Sequence, residues 1–126
     1  MAVAVAAGEP AGGSSPGARP PLSTDVWETV EALVAWLDRE SALPPEQERL
    51  LRVLKLSEEA GEVAQAVIGT LGQNPRKGRS HTWEDVQREL CDVAVTALVA
   101  LTTLTPQARE VFDGHLAGLA ERLPRG

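Results

Sequence analysis

The chain has 126 residues, a net charge of −6 and a single cysteine, Cys91. That length suits one domain, and the acidic balance argues against a general binder of nucleic-acid polymers, which needs a basic face. One cysteine excludes an internal disulfide framework and fits a reducing compartment.

Residues 1–21 are rich in glycine, proline and serine, from Gly8 and Pro10 to Pro20 and Pro21, which predicts a disordered tail. Residues 22–126 are then the folded domain. Met1 to Ala7 is apolar but has no basic flank and runs into Gly8-Glu9-Pro10, so it does not read as a signal peptide. The longest uncharged run, Val93 to Ala108, is too short to span a bilayer. The expectation is a soluble, cytoplasmic protein with no membrane partner.

A first helix is expected to begin at Ser23 or Thr24, good N-caps, with Asp25 and Glu28 in its first turn. Val26, Trp27, Val30, Leu33, Val34 and Leu37 recur at three and four residues and give it one core face. Trp27 and Trp36 are read as packing residues. Pro44-Pro45 opens a second, long helix, since proline is tolerated where the first N–H groups lack partners. Gly69 and Gly72 mark its end.

The middle of this second helix reads Lys55-Leu56-Ser57-Glu58-Glu59-Ala60-Gly61-Glu62. At roughly 100° per residue the three carboxylates fall within about 100° of arc, and Lys55 lies one turn earlier in the same arc. Like charges at three and four residues destabilise a helix, so the cluster calls for a neutralising partner such as a divalent cation; a solvated acidic face is the alternative. Gly61, among the carboxylates, suggests close approach of a neighbouring helix or a ligand.

Residues 72–81 form a loop with Arg76, Lys77 and Arg79, cations able to hold a polyphosphate. A third helix follows, with Thr82 as N-cap and Asp85 in the capping-box position. Glu89 and Asp92 share one of its faces and stand at the mouth of the uncharged run, which implies burial. Two helices offering carboxylate pairs to one interior make an all-oxygen site that suits Mg²⁺ or Mn²⁺. Cys91 is expected in the core. Thr105-Pro106 reads as the N-cap and first residue of a fourth helix, with Ala108, Val111, Phe112, Leu116 and Leu119 on one face. His81 and His115 receive no role. The fold class is all-α, a bundle of about four helices per chain.

Glu58-Glu59-x-x-Glu62 followed by Glu89-x-x-Asp92 resembles the EExxE…ExxD signature of the MazG-like all-α nucleoside triphosphate pyrophosphohydrolases. The likeness covers roughly residues 25–120 and includes Lys55-Leu56 before the first acids. It implies a Mg²⁺-binding bundle, a homodimer or homotetramer, that cleaves a nucleoside triphosphate between its α- and β-phosphates to give a monophosphate and pyrophosphate. It further implies Glu59, Glu62, Glu89 and Asp92 as metal ligands, and Glu58 as a support for the site or for the attacking water. Lys55 would meet phosphate oxygens or hold a carboxylate. Two features depart from the pattern: Cys91 stands where many relatives have glycine, and the late third helix offers only Thr96, Thr102 and Thr103 as polar residues before Arg109. The rival from another class is a non-catalytic helical module that senses a nucleotide or pairs with a partner chain. A di-iron bundle would need Glu-x-x-His pairs, which the chain lacks.

Overall fold

The computed structural model describes residues 25–126, so the tail expected over 1–21 and the caps expected at Ser23 or Thr24 lie outside the described residues. Four helices make up the fold: α1 (Val26–Glu40), α2 (Pro45–Leu71), α3 (Trp83–Leu104) and α4 (Ala108–Glu121). No strand occurs among the described residues. The protein is an all-α bundle, and no single described helix is long and apolar enough to cross a membrane.

Local chemistry sets the helix ends. Asp25 caps α1, its carboxylate accepting the Glu28 N–H at 2.9 Å, so the helix starts a residue or two later than expected. A carboxylate at this position both satisfies an orphan N–H and meets the positive end of the helix dipole. Arg109 of α4 pairs with the same carboxylate at 3.1 Å. Pro44 and Pro45 open α2, and Gly72 closes it in the left-handed conformation at φ 67°. Gly69 belongs to the helix proper. A Cβ there would collide with the His81 ring and the Ser80 hydroxyl, and Ser80 N–H donates to Gly69 O at 3.1 Å. His81 thus presses the α2–α3 loop back onto α2.

Thr82 forms the expected capping box with Asp85 at the start of α3. The fourth helix departs from expectation by beginning at Ala108. Thr105 accepts the Gln107 N–H at 3.1 Å, closing a turn around Pro106 where the first helical turn was expected.

α3 is the central element and packs against each of the other three helices. Val30 of α1 and Val99 of α3 form the buried centre, with Leu33, Val34, Leu37, Val95 and Leu98 around them. Trp27 stacks edge-on against Phe112 of α4, with ring centroids 5.7 Å apart, in keeping with a packing role. One expectation fails. Cys91 is exposed, because α1 and α2 cover only part of the α3 circumference and leave Leu90 and Cys91 facing outward. Gly61 has nothing within 4 Å of where its Cβ would lie, so no other described helix of this chain approaches it.

The inner face of α2 is written at a seven-residue spacing: Arg52, Glu59 and Ala66 are all buried. Arg52 ties three helices together. Its Nη1 meets Asp38 of α1 at 2.8 Å and donates to Thr103 of α3 at 3.1 Å, while its Nε donates to Glu48 at 3.1 Å. Removing one partner of a buried pair leaves the other uncompensated. Arg52→Ala should therefore lower unfolding free energy by about 3 kcal/mol, the low end for such a loss because the Asp38 carboxylate keeps its water. Asp38→Asn should cost less than about 1 kcal/mol, as exposed pairs do. Urea melts of the two variants check the ordering.

Candidate metal centre

The carboxylates of α2 and α3 meet where the two helices pack side by side. Glu59, Glu89 and Asp92 each offer one oxygen, and the three oxygens lie within 4.8 Å of one another. Glu59 is only 1% exposed; Glu89 and Asp92 are half-buried. Glu62, half-buried one turn after Glu58, shares a hydrogen bond with the Glu89 carboxyl. All four residues expected as ligands are thus drawn to one seam, three in a tight group and the fourth hydrogen-bonded to it.

The electrostatics are those of crowded acids. Burial pushes the Glu89 carboxyl above its ordinary value, and the hydrogen bond and negative charge of Glu62 and the charge of Asp92 push it further the same way. Its buried Oε2 finds no hydrogen-bond partner among the described residues. A half-buried acid cluster with an oxygen left over is a donor set that fits a hard divalent cation such as Mg²⁺ or Mn²⁺, and contains no sulfur or imidazole for a softer one.

The other expected site residues lie off this group. Glu58 is largely exposed and pairs with Lys55 at 3.1 Å, at the edge of the seam rather than within it. Arg76, Lys77 and Arg79 are exposed in the α2–α3 loop. Leu71 lies nine positions along the helix from Glu62, about 14 Å at helical rise, so the loop cations sit at the end of the bundle and not over the carboxylates. Lys77 instead lines a separate hollow of about 190 Å³ with Gln65, Ile68, Asn74 and His81.

On the opposite side of the carboxylates, away from the loop, lies a cavity of about 160 Å³ lined by Leu37, Glu48, Leu51, Arg52, Lys55, Thr96 and Val99. Arg52 and Glu48 carried no expectation from the sequence. The available signal was position: Arg52 precedes Glu59 by seven residues and so shares its stripe.

The chain matches no protein-family model, and no curated protein and no solved structure shows significant similarity to it.

The raised Glu89 carboxyl fixes the sign of a pH effect. A carboxyl whose folded value lies above its unfolded one supports the fold fully at pH below the ordinary carboxylate range. That support is lost as pH rises through the raised folded value. In chelator, thermal stability should therefore fall as pH climbs from about 4 toward neutrality. Glu89→Gln should flatten that slope and leave the metal-free protein more stable at pH 7, as melting curves across this range would show.

Proposed function

We propose that the chain is a Mg²⁺-dependent nucleoside triphosphate pyrophosphohydrolase of the MazG-like kind, with Mn²⁺ as a possible substitute, yielding a nucleoside monophosphate and pyrophosphate. The observation that carries the reading is the convergence of Glu59, Glu89 and Asp92 oxygens within 4.8 Å, from the two helices whose acids resemble the family signature. Glu59, Glu62, Glu89 and Asp92 would hold the cation, which when bound supplies charge neutralisation at the phosphate oxygens and lowers the pKa of a water. Glu62 keeps the Glu89 carboxyl oriented through their shared hydrogen bond. Glu58, exposed at the rim, is free of the tight group and able to accept a proton from water. Lys55 beside it offers its ammonium to phosphate oxygens. No protein nucleophile is required, because positioning and electrostatics supply most of the acceleration in phosphoryl transfer. The alternative, a non-catalytic nucleotide-sensing module on the same fold, draws support from the loop cations standing apart from the acids.

The proposal includes a homodimer or larger assembly. Leu50, Leu54 and Ile68 are 66%, 62% and 44% exposed, and with Gly61 they fall on one outer stripe of α2. An exposed apolar row of this kind suits burial against a second chain. The missing side chain at Gly61 would let the partner's backbone approach closely.

A pyrophosphate-release assay over standard and modified nucleoside triphosphates, with and without Mg²⁺, tests the activity. Metal-dependent release that falls at least about 100-fold in Glu62→Gln, roughly 3 kcal/mol of transition-state stabilisation, is expected. Silence across the panel with nucleotide binding intact would move the assignment to the non-catalytic module. For the assembly, Leu54→Glu should convert a dimer to monomers in sedimentation; an unchanged mass would remove the α2 stripe from the interface.

A further inference from the structure

The α2–α3 loop gathers positive charge that the rest of the fold does not balance. Arg76, Lys77 and Arg79 take part in no ion pair among the described residues. Arg52, Lys55, Arg88 and Arg109 each hold a carboxylate. No acid occurs from Val63 to Trp83, in a chain whose net charge is −6. Cations near a helix C-terminus can offset its dipole, but that effect falls off within the last turn. The last turn of α2 carries no basic residue, so the dipole does not account for the cluster.

The loop also holds its charges in place. The Asn74 backbone carbonyl accepts the Lys77 and Gly78 N–H groups at 3.2 and 2.9 Å, and the Asn74 side chain accepts the Arg76 N–H at 3.0 Å. Gly78 takes the left-handed conformation at φ 60°, which turns the chain back so that Ser80 can bond Gly69. The backbone carrying Arg76 and Lys77 is thus fixed before any ligand arrives, which lowers the ordering cost of binding. Beside it lies the hollow of about 190 Å³, whose lining includes Gln65, Asn74, Lys77, Ser80 and His81 and no carboxylate. The hollow is open to solvent, so charge and not size selects what it takes.

We propose that the loop and its hollow form a binding site for a polyphosphate anion, separate from the carboxylate centre and independent of its cation. Three unpaired cations within four positions suit a ligand with several negative charges close together, and guanidinium and ammonium groups are the side chains that recognise phosphate. The anion is a free pyrophosphate or triphosphate, or the same group carried by a nucleotide. The site does not rest on the pyrophosphohydrolase reading, although under that reading pyrophosphate is a product of the reaction.

The test is calorimetric titration of the full chain in chelator, which keeps metal from the carboxylates. The titrants are orthophosphate, pyrophosphate, inorganic triphosphate and a nucleoside triphosphate. Pyrophosphate should bind at least about tenfold tighter than orthophosphate. Replacing Arg76, Lys77 and Arg79 together by Gln should weaken pyrophosphate at least about tenfold and leave the melting temperature unchanged, since all three are exposed. Arg39→Gln, which removes an exposed cation from the opposite end of the bundle, should leave the affinity unaltered. Equal binding of inorganic and nucleoside triphosphates would assign the site to the free anion; tighter nucleoside binding would assign it to the nucleotide-borne group. Pyrophosphate binding that is absent, that survives in the triple variant, or that falls as far in Arg39→Gln would overturn the site. A single-stranded oligonucleotide that bound through the same three residues more tightly than triphosphate would overturn it in favour of a polymer. None of these results decides the hydrolase reading, which requires the cation that chelator removes.

Discussion

Four carboxylates crowd one seam between α2 and α3, and the price of holding them there shapes much of the molecule. Glu59 is fully buried against α3, where an ionised acid is costly unless it is compensated. On the same helix Arg52 pairs with Asp38 and Glu48, and Lys55 with the rim residue Glu58. Glu89 answers the crowding with a shared hydrogen bond and a raised carboxyl. A bound divalent cation would reverse that logic, offsetting the mutual repulsion and turning the cluster into a ligand set.

The seam also divides the inner face of the helix pair into two ends. Because α2 and α3 run in opposite directions, residues before Glu59 face residues after Asp92. Arg52, Lys55, Thr96 and Val99 therefore line one cavity. The basic loop closes the other end, pressed onto Gly69 by His81. Arg52 anchors the architecture: two of its nitrogens bind three helices into a bundle. The small aliphatic core around Val30 and Val99 leaves the outer stripe of α2 bare.

Most of the fold was legible from residue pattern. The capping box at Thr82, the proline pair at Pro44 and the glycine stop at Gly72 are local signals, and each sits where its backbone chemistry requires. The four acids were legible for the same reason: a fixed spacing on a helix fixes a face. What failed depended on neighbours. Cys91 reads as a core residue, but which arc of a nearly all-apolar helix is covered is decided by packing, and α1 and α2 leave that arc open. The start of α4 slipped from Pro106 to Ala108 because Thr105 can cap a simple turn as well as a helix. Arg52 was missed because its burial depends on Asp38 and Thr103, residues that are distant in sequence.

The most direct test of the central claim is calorimetric titration of Mn²⁺ into the chelated protein. The account predicts saturable binding that is lost in Glu89→Gln, because the cation takes its ligands from these carboxylates. Absence of binding, or binding unchanged in the variant, would contradict the assignment of these carboxylates to a cation.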